Sequence, residues 1–300
     1  MKRAVGVALA ALFALGLAQP IREFTDWSPA VTLGPVVNSL SVDSCVTISK
    51  DKLTLIFSSN RPGGMGGRDL YVTTRETVDS DWIDPQALTM LNSPVWDSCP
   101  ALSVDERRLY FTSAREPSCG WEDIWVASRP DRKDPQGWEA PVSLGCADDG
   151  YLNTKGSDLT PTFFEDDAGN EVVYFASTHQ GLGQFDFYQS VMRPDGTFGP
   201  PTEVEELSSN AVDIGITVRR DGLEVIFLSQ RKGASGNQWS FDFWTATRAS
   251  TEDPWSAPVF VPSLGSPSWA SGRIALTFDA RELYFTRRGD LWVARRERLH

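Results

Sequence analysis

The sequence predicts an all-β protein, a five-bladed β-propeller of four-stranded antiparallel blades. Three observations predict it. A β-rich apolar run ending in Phe, then a loop, then Asp-apolar-aromatic, recurs five times. Turns rich in Gly and Pro separate short strands at regular intervals, the pattern of blades repeated around a ring. The fifth copy lacks a last strand, and a segment near the start of the chain has the pattern of that strand.

The copies follow in order. Leu55-Ile56-Phe57 precedes Asp69-Leu70-Tyr71, and Leu109-Tyr110-Phe111 precedes Asp123-Ile124-Trp125. The third is Val173-Tyr174-Phe175 with Asp186-Phe187-Tyr188, and the fourth Val225-Ile226-Phe227 with Asp242-Phe243-Trp244. The last is Leu283-Tyr284-Phe285 with Asp290-Leu291-Trp292. A turn aspartate (Asp51, Asp105, Asp221, Asp279) precedes the Phe in four copies, after a short strand such as Pro100-Ala101-Leu102-Ser103. Behind each aspartate-led strand comes an aromatic residue, Trp82, Trp138, Phe198 or Trp255, with a proline three residues on. The unit is therefore four strands, a to d, in about 55 residues, and it buries both faces only by packing against its neighbours in a ring. Residues 27–33, starting at Trp27, supply strand d of the last blade and so remove the open edge.

The repeat resembles the TolB-like, WD-like propeller repeat of bacterial envelope proteins. The likeness lies in Ser103 through Arg115, in the glycine-rich loop Arg61-Pro62-Gly63-Gly64-Met65-Gly66-Gly67-Arg68, and in Asp123-Ile124-Trp125-Val126. It implies the fold over residues 19–300 as one domain, and it leaves function open, because that family is functionally mixed.

Residues 1–18 read as a secretory signal peptide. Lys2 and Arg3 precede an apolar run to Ala18 that is short for a membrane span, and small residues stand at the cut. The mature chain is expected in the periplasm or secreted, with no membrane span. A formal charge of −12 excludes nucleic acid as a partner, since phosphate neutralisation needs clustered Lys and Arg. With only His179 and His300, a histidine-rich metal site is excluded too. Export makes the four cysteines disulfide candidates, paired Cys45–Cys99 and Cys119–Cys146 as loop staples.

Function is sought on the face formed by the d–a and b–c loops. Asp43, Asp97, Asp158 and Asp213 share one position on strand a, with Ser271 in the fifth copy, and so ring the channel mouth. They are candidate ligand contacts, or caps on their own backbone. No cofactor is implied, although a cation such as calcium suits four carboxylates. Trp96, Trp121, Trp239 and Trp269 fall in the same loops, with Glu122, Asp148, Asp149 and Tyr151. Trp beside carboxylate suits stacking on sugar rings with hydroxyl recognition. Arg61, Arg115, His179 and Arg231 recur at the end of strand b and are expected to clamp the b–c loop to the strand-c aspartates.

No nucleophile–histidine–acid set or cofactor fingerprint is evident. The favoured expectation is a non-catalytic binding or scaffold propeller that holds a glycan, a peptide or an envelope protein. The alternative is a glycoside hydrolase with its carboxylates at the channel mouth.

Overall fold

The structure is a computed structural model that describes residues 23–179, 181, 184–231, 241–265 and 272–299. Residues 1–18, with the expected signal peptide, lie outside the described residues, as do Trp239, Trp269 and Ser271. Five four-stranded antiparallel sheets form the propeller. Blade one is β2 (Asp43–Ile48), β3 (Thr54–Ser59), β4 (Asp69–Thr74) and β5 (Gln86–Ala87). Blade two is β6 (Asp97–Leu102), β7 (Arg108–Ser113), β8 (Asp123–Ser128) and β9 (Val142–Ser143). Blade three is β10 (Asp158–Glu165), β11 (Glu171–Ser177), β12 (Asp186–Val191) and β13 (Thr202–Glu203). Blade four is β14 (Asp213–Val218), β15 (Glu224–Ser229), β16 (Asp242–Thr247) and β17 (Val259–Phe260). Blade five joins β18 (Ala275–Leu276), β19 (Glu282–Arg287) and β20 (Asp290–Arg295) to β1 (Val31–Thr32).

The expected clasp is present. Val31 faces Val293 and Thr32 faces Trp292 in an antiparallel pair. Asn38 extends it: its amide donates to the Leu291 carbonyl while Leu291 N–H donates to its Oδ1. Strand d is paired over only two residues in every blade, starting just past Pro85, Pro141, Pro201 and Pro258. Proline has no N–H for the ladder, so pairing begins after it.

Each interface between blades holds its own core. The consecutive apolar residues of strand b face both neighbours, so Phe57, Phe111, Phe175, Phe227 and Phe285 are all completely buried. The strand-d aromatics close these cores from the rim. Trp82, Trp138, Trp255 and Trp27 are each covered by an arginine from the end of strand c, Arg75, Arg129, Arg248 or Arg296, at 4.2–4.5 Å from the ring centre. The Nε of each donates to a carbonyl of the a–b turn, for example that of Lys52 or Glu106. Blade three makes an apolar exchange at both positions, with Met192 packed near Phe198.

Strand a lines the axis. It carries a bulge between Ser44 and Val46, Ser98 and Ala101, Leu159 and Thr162, and Ile214 and Thr217. At that point Cys45, Cys99, Thr160 and Gly215 all have positive φ, a left-handed backbone that re-aims the strand. In blade five the matching residue is Arg273. Its side chain crosses the axis, Nε donating to Pro161 O at 2.7 Å and Nη1 to Val46 O at 2.8 Å. Together with the Cys45–Cys99 disulfide between neighbouring blades, it fills the waist of the channel.

Candidate functional site

The loop face is built on a repeated clamp. Arg61 Nη2 donates to Asp43 Oδ1 at 2.7 Å and to Val37 O at 2.7 Å. Arg231 does the same with Asp213 at 2.8 Å and with Leu207 O, and Arg115 with Asp97 and Leu91 O. Each guanidinium lies between two rings of its own blade: Phe57 and Tyr71, Phe111 and Trp125, or Phe227 and Trp244. The expected partner of these arginines was the strand-c aspartate, and the structure corrects this. Asp43 pairs with Ser59 across the ladder, so an arginine two residues past Ser59 folds back onto strand a. Asp69 and Asp123 instead hold their own loop backbone, accepting from Gly66 N–H and Cys119 N–H.

Asp43, Asp97, Asp158 and Asp213 do form a ring at the head of strand a, and all four are completely buried. Their second oxygens cap the d–a loops: Asp43 accepts from Ser39 N–H and Oγ, and Asp97 from Ser93 N–H and Oγ. The capping alternative describes these hydrogen bonds, and in three blades an arginine also donates to the carboxylate. Among the described residues no group of three or more His, Cys, Asp or Glu could hold a metal ion.

Asp158 is the exception. His179, which replaces the arginine in blade three, is exposed and stands edge-on to Tyr188. Asp158 accepts from Thr154 N–H and Oγ1, with Ser177 Oγ beside them. Burial pushes its carboxyl from the ordinary 3.8 up to about 7, with these hydrogen bonds opposing and the charge of Asp123 adding.

Above the ring, the residue just before each strand-c aspartate forms an inner rim. Its carbonyl accepts from the next blade's ring aspartate: Arg68 from Asp97, Glu122 from Asp158, Phe185 from Asp213 and Gly289 from Asp43. The backbone is repeated and the side chains are not, so the rim runs Arg68, Glu122, Phe185, Phe241, Gly289. Burial raises the Glu122 carboxyl above the usual glutamate range, against the pull of Arg68, and burial lowers Arg68. Their mutual attraction offsets only part of the hydration both have lost.

Trp96 and Trp121 stand beside this pair with 54% and 82% of their surface exposed, enough to offer a ring face to a ligand. Trp96 lies 5.6 Å from the Arg68 guanidinium and packs so closely on Gly67 that a Cβ there would meet its Nε1 at 2.3 Å. Trp121 N–H donates to Gly156 O of the neighbouring loop. The Cys119–Cys146 disulfide ties the two loops of blade two together. Both disulfides are therefore the expected ones. Leu40, Met65, Val95 and Tyr151 add further exposed apolar surface to these loops.

The rim residues Arg68, Phe185 and Phe241 escaped sequence analysis. The available signal was their chemical disagreement at a position where all five copies align.

No family model matches the chain, and no curated protein sequence matches it. Solved structures do match. An endo-arabinase from Bacteroides thetaiotaomicron is 16% identical with a TM-score of 0.57, over 92% of this chain and 98% of that one. An α-L-arabinofuranosidase from Podospora anserina, solved with cellotriose, is 14% identical with a TM-score of 0.53, over 92% and 98%. A thermostable family-43 glycoside hydrolase is 13% identical with a TM-score of 0.55, over 90% and 93%. TolB from Acinetobacter baumannii also matches, at 0.49 over 83% of this chain and 51% of that one, too weakly to carry weight. At these identities the likeness shows the five-bladed fold. It also corrects the favoured expectation of a non-catalytic binding propeller, because full-length matches are described as glycoside hydrolases, the alternative that had stood second.

Proposed function

We propose that this chain is a glycoside hydrolase that cleaves a pentose-containing polysaccharide from its loop face. The observation that carries this reading is the inner rim, where a repeated backbone presents an unrepeated acid, Glu122, beside Arg68 and two exposed tryptophans. The pentosidase descriptions of matching full-length structures support the substrate class. Residues 1–18 and the two disulfides support work outside the cytoplasm. Among the described residues no helix is long and apolar enough to cross a membrane.

In this reading Trp96 and Trp121 stack on sugar rings and Glu122 is the acid. Its proton goes to the glycosidic oxygen as the bond to the anomeric carbon breaks, and water adds at that carbon. Asp290, the half-buried acid that follows the rim residue Gly289 in sequence and is raised above the ordinary aspartate range by burial and by Asp43, is assigned the proton of the attacking water. Desolvation suits Glu122 to this role by keeping the carboxyl protonated at a pH where a free glutamate has ionised.

The test is product analysis with arabinan, xylan and nitrophenyl pentosides. Glu122→Gln is expected to lower kcat about a hundredfold to ten-thousandfold, and Trp121→Ala to raise KM. The rate is expected to fall as pH rises through the raised pKa of Glu122, because the acid must be protonated. No turnover of any of these substrates by the unaltered chain between about pH 5 and 8 overturns the reading.

A further inference from the structure

The opposite mouth of the channel, on the a–b turn face, holds a cavity of about 90 Å³ between all five inner strands. Its floor is Arg273, which is 5% exposed. Nε and Nη1 are engaged by carbonyls of blades three and one, leaving Nη2 as a donor that no described residue receives. No carboxylate pairs with this guanidinium among the described residues. Burial alone lowers its pKa to about 9. A buried cation without a counter-charge is costly, and a fold keeps one where something neutralises it.

The walls also donate. Thr47 Oγ1 accepts the Leu102 N–H and Thr217 Oγ1 accepts the Leu276 N–H, so each hydroxyl proton is free to point elsewhere. Thr47, Thr217 and Thr162 all line the cavity. Lys50 and Arg220 both stand over the Phe278 ring at its rim, their charged ends 4.9 and 4.1 Å from the ring centre. The lining includes one acid, Glu106, whose Oε1 accepts Lys50 N–H and whose Oε2 lies 3.6 Å from Arg132. The turn aspartates are engaged in their own turns, as Asp51 is with Ser49 and Leu53. Arg273, Lys50 and Arg220 thus meet at this mouth, and of the three Arg220 has a carboxylate partner of its own, Glu165 at 3.6 Å.

We infer that the turn-face mouth binds a small tetrahedral oxyanion, a phosphate or sulfate group, held by Arg273 and the threonine hydroxyls and admitted past Lys50 and Arg220. The cavity has room for one such group. The site is separate from glycan turnover on the other face and stands whether or not that activity is found.

The experiment titrates the full chain with sodium phosphate and sodium sulfate by calorimetry and thermal melting, against sodium chloride at equal ionic strength. A saturable rise in melting temperature with phosphate and sulfate, absent with chloride and absent in Arg273→Met, is the expected result. Should Arg273→Met fail to fold, the Lys50→Gln/Arg220→Gln double variant serves, with an expected affinity loss of about tenfold for two rim charges. A hexose phosphate that binds more tightly than inorganic phosphate identifies an esterified group as the natural occupant, and one that binds no better identifies the free ion. Equal effects of chloride and phosphate, or unchanged phosphate binding in the variants, overturn the proposal.

Discussion

Blades two and three carry the same aspartate in two electrostatic settings. Asp97 is completely buried against Arg115, while Asp158 is equally buried against Thr154 and Ser177, with His179 turned out to solvent. The backbone around them is the same, since each donates its N–H to the rim carbonyl of the preceding blade. The comparison separates what holds the loop from what sets the charge. Hydroxyl and amide donors suffice to shape the loop. A guanidinium supplies Asp97 with a counter-charge that Asp158 lacks.

The largest expected effect comes from removing that guanidinium. Arg115→Met leaves Asp97 as an uncompensated buried charge and is expected to cost about 3–5 kcal/mol in denaturant unfolding at neutral pH. Next is the pH dependence that Asp158 imposes. Its folded pKa of about 7 lies above the ordinary 3.8, so its contribution is complete below about pH 4 and lost as pH rises to 7. The decline is at most about 1.4 kcal/mol per pH unit. Asp158→Asn should flatten stability between pH 4 and 7, and an unchanged slope would locate the proton elsewhere. Smallest is His179→Arg, which restores the clamp to blade three. It is expected to add about 1 kcal/mol at pH 8 and nothing at pH 4, read as a shift in melting temperature.

The fold was legible because its cause is repeated. Five recurrences of Phe and Asp give five interfaces, and the missing strand had a single candidate in Trp27–Leu33. The disulfides followed once Cys45 and Cys99 were placed at equivalent positions. Other features were visible as residues without their partners. Arg61 was seen, yet its carboxylate depends on how a side chain folds back past Ser59, which spacing does not reveal. The arginines over the strand-d tryptophans recur in four blades and were passed over, because their contact spans a whole strand pair. The candidate site was least legible of all. Arg68 and Glu122 matter because they break the repeat, and a search for recurrence discards such positions. Arg273 hid in the same way, as a single large residue where the other blades bear Cys, Thr or Gly.

The clasp between β1 and β20 has a kinetic consequence. Asn38 meets Leu291 across 253 residues of sequence. Closing a loop of that size costs about 3 kcal/mol more in chain entropy than closing a ten-residue hairpin. Each blade can pair its inner strands locally, but the rosette stays an open arc, with both flanks of its terminal sheets wetted, until this remote contact forms. Assembly is thus expected to run from quick independent hairpins to one slow, sealing event, and a chaperone that guards the unsealed arc would act in that interval.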